Sequence, residues 1–252
     1  MLRITDARTG EPVEAAPARR GLTRVEAHAT GFDTTALRVL LVADLLVRAL
    51  ELGGTPVWAL LSGERDQAEL RAGAAALGIR PFEDTRDVGG PGLGETQVLR
   101  VAAGGRAAPD AEGGSRVAHG GVWVAVAPVE AGPDPAAAGD DPAVLRFALL
   151  ARRRDRPVRL DAATLGEARD TLADWRRAVA TWAREPSRPI PDEVRADLRA
   201  AWEDDLDVPG VLRVLRWVRT EPDLPDGARF ETFAYADRLL GVDLARDLGS
   251  LA

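Results

Sequence analysis

The sequence predicts an α/β domain over residues 1–135 followed by an all-α helical bundle over residues 136–252. Three observations carry this reading. Through the first part, short runs with strand-like alternation are separated by stretches of helical periodicity. From about residue 140 onward the periodicity is helical throughout. Between the two lies "AGPDPAAAGDDP", residues 131–142, with the Pro, Gly and Ala content of a linker.

Taken in order, "LRITDA" (2–7) and "RVEAHAT" (24–30) read as strands, 36–52 as a helix, "PVWALL" (56–61) as a strand and 64–77 as a second helix. "TQVLRVAA" (96–103) and "GGVWVAVAPV" (120–129) are again strand-like. Strands alternating with helices imply a parallel sheet with right-handed crossovers. The Gly-rich segments 86–95 and 104–116 read as loops. In the second part, Leu165, Ala168, Leu172, Trp175, Val179 and Trp182 recur at spacings of three and four, which places them on one face of a long helix with Asp161 as its N-cap. "PDEVRADLRAAWEDDL" is a second helix with Val194, Leu198 and Ala201 inward, and "VPGVLRVLRWVR" a third, with Pro209 in its first turn. "ARFETFAYADRLLGV" is a fourth, ended by Gly241. Short connections between them imply antiparallel neighbours.

Composition narrows the chemistry. All 33 basic residues are arginine, and there is no cysteine. Disulfides, zinc thiolates, a cysteine nucleophile and any lysine-based phosphate clamp are therefore excluded. A net charge of −7 argues against a surface dominated by nucleic-acid contacts. The opening residues "MLRITDARTG" lack an apolar signal region, and the longest apolar run, 36–50, is interrupted by Arg38, Asp44 and Arg48. A cytoplasmic protein without membrane contact is the expectation.

The most suggestive local feature is the turn after the second strand. There Asp33, Thr34 and Thr35 lead into the apolar helix, in the way that strand–loop–helix units present backbone N–H groups to phosphate. The turn carries no Gly-rich signature, and no lysine or histidine follows it.

Several of these segments together resemble a known family. "DDPAVLRFALLARRRDRPVRLDAATLGEARDTLADWRRAV" (140–179) and "DEVRADLRAAWEDDLDVPGVLRVL" (192–215) resemble the helical domain of cysteinyl-tRNA synthetases. They look even more like that of the related ligases that join cysteine to glucosaminyl-inositol in mycothiol synthesis. "LRITDARTGEPV" (2–13) looks like the family's opening strand and turn, and "AHATGFD" (27–33) lies where the family has Cys-Gly-Ile-Thr-(Pro/Val)-Tyr-Asp. The resemblance implies a reduced Rossmann-like domain of the class I synthetase type followed by a helical bundle.

Against the family pattern, three parts of one active site are missing. The His-Ile-Gly-His loop that meets ATP phosphates has collapsed to about Ala36. Where Lys-Met-Ser-Lys-Ser would follow the last strand, the chain reads "APVEAGPDPAAAG". The first zinc-ligand cysteine aligns with Ala27, and the segment bearing the other ligands is missing between residues 80 and 115. No zinc or other metal and no cofactor is expected.

Candidate pocket residues follow from the same alignment. Thr30 stands where the family has a threonine near its amino-acid pocket, and Asp33 matches the family aspartate, with turn stabilisation as its alternative role. Thr34 and Thr35 read foremost as helix-capping residues. Arg38 is the nearest cation to the vanished loop. His119, Gly120 and Gly121 match a family turn bordering the nucleotide pocket, with chain reversal as the alternative role of the glycines. His28 aligns with a family glycine and reads as structural. The run Arg152, Arg153, Arg154, Arg156 and Arg159 lies on the segment that, in the family, faces substrate RNA; the alternative is a solvated linker paired with acidic neighbours. The acidic cluster Glu203, Asp204, Asp205 and Asp207 reads as a helix-capping turn rather than a cation site.

The leading functional reading is a pseudoenzyme paralogue that acts by binding a protein partner, a cysteine-related small molecule or RNA. The alternative is a residual ligase that binds ATP or an aminoacyl adenylate through a rebuilt site. A tRNA-binding module, resting on the arginine run, is third.

Overall fold

The computed structural model describes residues 1–17, 21–63, 67–84, 95–104, 121–131 and 141–249. His119, Gly120 and most of the two Gly-rich loops lie outside the described residues. In chain order the elements are β1 (Arg3–Thr5), β2 (Pro12–Glu14), β3 (Leu22–His28), α1 (Thr34–Leu52), β4 (Val57–Ser62), α2 (Gln67–Ala76), β5 (Glu83–Asp84), β6 (Glu95–Ala103) and β7 (Val122–Val126). They continue with β8 (Val129–Ala131), α3 (Pro142–Leu150), β9 (Val158–Leu160), α4 (Ala162–Trp182), α5 (Asp192–Glu203), α6 (Val208–Thr220) and α7 (Asp226–Leu240). The chain divides into two compact units, Met1–Val129 with Arg154–Val158, and Glu130–Arg153 with Arg159–Ala252. No helix among the described residues is long and apolar enough to cross a membrane.

The first unit is built on a five-stranded sheet, ordered β5-β4-β3-β6-β7, in which every pair is parallel. Counted along this sheet the strands run 3-2-1-4-5, so the order reverses between β3 and β6, as in Rossmann-like folds. Alternation along β3 explains its placement. Val25 and Ala27 are fully buried on one face, whereas Arg24, Glu26 and His28 point to the other. The edge strand β5 carries no strand signal in the sequence, because two residues, Glu83 and Asp84, are too short a window to show alternation. Pro12–Glu14, which reads as a turn in the sequence, pairs antiparallel with β1 through Ile4↔Val13.

Helix α1 is apolar nearly all round, and 14 of its 19 residues are buried. A helix of that kind belongs inside a fold rather than on it. Val39, Leu40, Leu41 and Leu46 are each at most 1% exposed, and each contributes roughly 1.5–3 kcal/mol of transfer free energy. The helix ends at Gly53, whose amide returns to the carbonyls of Ala49 and Glu51.

The second unit is a bundle of α3 to α7. The six apolar residues that the sequence assigns to one face of α4 are all buried, and the Asp161 carboxylate accepts from the Thr164 amide at 2.9 Å, so the N-cap stands where the sequence places it. Trp175 is held edge-on between Phe147 (5.6 Å) and Phe233 (5.3 Å), and Trp182 meets Phe233 at 5.1 Å. In α5, Val194 and Leu198 are buried as expected, while Trp202 rather than Ala201 completes the inner face. Gly241 ends α7 in the left-handed conformation, φ 59°, and the Asp237 carboxylate accepts from the amides of Val242 and Leu244 just beyond. Burial raises the Asp237 pKa, even though those two amides favour its charged form.

The aromatic cluster gives a direct test. Phe233→Ala removes the 0%-exposed ring that both tryptophans touch, and is expected to cost about 3–5 kcal/mol. Trp217→Ala, at a position 49% exposed on α6, should stay within about 0.5 kcal/mol of the parent. Urea denaturation, comparing midpoints at unchanged slope, measures both.

Candidate functional site

In parallel sheets of this order, ligands bind outside the carboxyl ends of the strands, where the strand order reverses. Here that place is reached by the end of β3, the segment Ala29–Asp33 and the first turn of α1. Gly31 takes φ 88°, which lets the chain leave β3 and turn into the helix. Thr30 and Asp33 are exposed at this mouth, and Thr34 and Thr35 are half-buried beside them.

The helix cap is Asp33. Its carboxylate accepts from the Ala36 amide at 2.7 Å, and its backbone is extended, φ −149°. Thr34 and Thr35 occupy the first helical turn instead of capping it, and the Thr35 hydroxyl accepts from the Val129 amide at 3.0 Å. Among the described residues, no protein acceptor meets the Thr34 and Thr35 amides. They are the groups that would meet an anion, but the Asp33 carboxylate already stands at the positive end of the helix dipole and opposes a second negative charge there.

Arg38 faces inward, only 1% exposed. Its guanidinium donates to the carbonyls of Ala127 (2.7 Å) and Arg156 (2.8 Å). Burial lowers its pKa to about 10, with Asp155 opposing the shift, so it stays charged at neutral pH. The cation one turn into α1 is thus engaged with backbone carbonyls inside the unit.

Gly121, the described residue of the matched turn, does not join this mouth. By strand register, Val122 is level with Leu99 and Leu99 with Val25, so Gly121 lies four residues back from His28, on the order of 13 Å toward the amino ends of the strands. Gly121 (φ 149°) serves close packing: a Cβ there would sit 2.7 Å from Arg100 Nη1 and 2.8 Å from the Val98 carbonyl oxygen. The structure brings Thr30, Asp33, Thr34 and Thr35 together and leaves Gly121 elsewhere.

The arginine run is divided as well. Arg154, 6% exposed, donates to the carbonyls of Ala125 (2.7 Å) and Thr5 (3.3 Å). Arg153 pairs with Asp205 at 3.3 Å and Asp207 at 3.7 Å. Arg152, Arg156 and Arg159 are exposed, with Arg159 3.2 Å from Asp161. The acidic cluster is likewise taken up. Asp205 and Leu206 both adopt φ 55° in the turn between α5 and α6, Asp207 precedes α6, and Arg213 reaches its carboxylate at 3.1 Å. Among the described residues, no group of three His, Asp or Glu side chains is placed to hold a metal ion.

A feature that sequence reasoning missed lies on the other face of the sheet. Glu26, 8% exposed, is contacted by Arg24 (3.1 Å), Arg100 (3.1 Å) and His28 Nε2 (3.4 Å). Arg100 and His28 also lie against the Trp123 ring, at 5.7 and 5.5 Å. Burial raises the Glu26 pKa, but the hydrogen bond from His28 and the charges of Arg24 and Arg100 outweigh it and hold the carboxyl below its ordinary value. The period-two spacing of Arg24, Glu26 and His28 between Val25 and Ala27 is the signal that shows this polar face in the sequence.

No family model matches this chain. Over 81 residues the chain is 41% identical to the L-cysteine:1D-myo-inositol 2-amino-2-deoxy-alpha-D-glucopyranoside ligase of Acidothermus cellulolyticus. The matched segment is 32% of this chain and covers only 19% of that ligase's length. The similarity is to a cysteine ligase, over a short segment.

Two measurements probe this geometry. Arg38→Leu should destabilise the protein by about 1–3 kcal/mol for each carbonyl left without a donor, whereas a guanidinium serving only a ligand would leave the unfolding midpoint in place. Glu26 contributes stability in full above the ordinary glutamate value of 4.5 and loses it as pH falls through its lower folded value. Thermal unfolding between about pH 5 and pH 3 should therefore show an acid-side decline that Glu26→Gln flattens.

Proposed function

We propose that this chain is a shortened, degenerate paralogue of the cysteine-activating ligases, with a Rossmann-like domain of the class I synthetase type that has lost adenylate chemistry, and that it acts by binding. The observation that carries the reading is the state of the α1 mouth. Its helix terminus is capped by the Asp33 carboxylate, and Arg38, one turn further on, is buried on two backbone carbonyls. Adenylate formation needs preorganised positive charge where negative charge develops on the transferring phosphorus. A carboxylate at the helix terminus supplies the opposite sign.

Composition supports the same conclusion. A sequence without lysine or cysteine holds neither a Lys-Met-Ser-Lys-Ser loop nor a thiolate zinc site. The similarity over a short segment to an L-cysteine:1D-myo-inositol 2-amino-2-deoxy-alpha-D-glucopyranoside ligase supports descent from such ligases. The exposed Thr30 and the Thr34 and Thr35 amides would then meet an uncharged or weakly polar group, with no cofactor and no zinc in the function. Within the arginine run, Arg153 and Arg154 are taken up by carboxylates and carbonyls, which leaves a tRNA-binding role only the exposed remainder.

The test is calorimetric titration with a non-hydrolysable sulfamoyl analogue of cysteinyl adenylate, which carries no polyphosphate, together with an ATP–pyrophosphate exchange assay. No heat up to millimolar analogue and no cysteine-dependent exchange are expected. Micromolar binding or measurable exchange would replace this reading with that of a residual ligase whose phosphate clamp comes from elsewhere.

A further inference from the structure

A second recess lies wholly within the helical unit, remote in sequence from the α1 mouth. It encloses about 400 Å³ between the segment that joins α4 to α5, the first turn of α5 and the outer face of α7. Arg188 comes from the joining segment, Arg195 from α5 and Arg238 from α7, with Ser187, Glu231 and Tyr235 between them.

Three permanent cations around one small cavity repel one another, and a net charge of −7 provides ample carboxylates to neutralise them. Elsewhere in this unit Arg176, Arg199, Arg213, Arg219, Arg229 and Arg246 each hold an aspartate or glutamate. Among the described residues, Arg188 and Arg195 hold none. The Arg195 guanidinium instead lies over the Tyr235 ring at 5.4 Å, a contact that biases its direction while leaving its donors open among the described residues. The loop bearing Arg188 is fixed. A Cβ on Gly227, in the first turn of α7, would collide with the Pro186 carbonyl and lie 3.1 Å from the Arg188 amide, so the loop backbone rests directly on the helix.

The one carboxylate at the cavity, Glu231, accepts from the Ser187 hydroxyl at 2.7 Å and retains acceptor capacity for a ligand hydroxyl. Tyr235 is covered by Arg195 and meets Trp202 at 5.5 Å, so its ring is not offered for stacking by a nucleobase. Planar guanidinium forks match phosphate oxygens two at a time, and the volume suits a small ligand.

We propose that this recess is a binding site for a compact phosphate ester bearing at least two negative charges and a free hydroxyl, such as a phosphorylated sugar or polyol. The guanidiniums of Arg188, Arg195 and Arg238 hold the phosphate groups, and Glu231 accepts from the hydroxyl. This site is independent of the reading given for the α1 mouth.

The experiment is calorimetric titration of the whole chain with fructose 1,6-bisphosphate, inorganic pyrophosphate and ADP. The sugar bisphosphate should bind more tightly than pyrophosphate, and ADP no more tightly than pyrophosphate. Arg188→Gln and Arg195→Gln, both at exposed positions, should each weaken sugar-bisphosphate binding by about tenfold or more, while Arg216→Gln, exposed on α6 and outside the cavity, should leave it unchanged. Glu231→Gln should raise pyrophosphate affinity by relieving like-charge repulsion. Absence of binding at millimolar ligand, or binding that the Arg188 and Arg195 variants do not weaken, overturns the proposal. ADP binding well above pyrophosphate assigns the recess to a nucleotide and overturns the sugar-phosphate class. None of these outcomes bears on the adenylate analogue, whose test concerns the α1 mouth.

Discussion

Two charges inside a buried helix set the terms for the rest of the first unit. Arg38 and Asp44 are each 1% exposed within α1, and an isolated ion at that depth is heavily penalised. Each is therefore tied to something. Asp44 receives the Arg48 guanidinium at 2.8 Å, one helical turn on, and the Arg80 guanidinium at 3.0 Å from the segment beyond α2. Arg38 donates to the carbonyls of Ala127 and Arg156. These ties fix the rotation of α1 about its axis, and that rotation decides which residues of its first turn face the mouth.

The same requirement explains why a Rossmann-like frame here makes a poor phosphate site. Phosphate-binding helices leave their first amides open and keep carboxylates away from them, so that dipole and donors act on the ligand. In this chain the terminus is closed by a cap that stabilises the helix by about 1 kcal/mol and also repels the anion. Capping and anion binding compete for the same groups, and Asp33 settles the competition in favour of the helix. The strand order is that of a Rossmann-like sheet, while the Asp33 carboxylate stands at the point of reversal.

Much of the fold could be read in advance because its signals are periodic. The alternation of β3 and β6, the three–four spacing on α4 and the glycine that ends α7 are local patterns, each with a local cause. What could not be read depends on pairing across long separations. β5 is too short to show a pattern, and β2 is a strand only because β1 lies beside it. At the site, the sequence shows that Arg38 sits near the turn but not which way the helix turns it. Likewise, five arginines in a short run look like one patch, although Arg153 and Arg154 take wholly different partners. The Glu26 cluster lay within reach of a period-two reading of β3, but its partner Arg100 comes from a strand more than seventy positions away.

A chain whose only strong cation is arginine sorts its positive charges by what they touch. The guanidinium of Arg38 or Arg154, with its donors on backbone carbonyls, acts as a structural brace, and the one of Arg176 or Arg219, held by a carboxylate, is neutralised in place. Only guanidiniums that the fold orients without satisfying retain recognition capacity, because desolvation and ordering have been met while the hydrogen-bonding fork stays open. In the first unit the cations of the sheet face and the α1 mouth are committed in one of the first two ways. In the helical unit Arg195 lies over an aromatic ring and, among the described residues, meets no carboxylate. A helix terminus closed by a carboxylate and oriented arginines elsewhere are compatible within one chain, since binding an anion needs only preorganised donors, whereas adenylate formation also needs charge placed on the path of the reacting phosphorus.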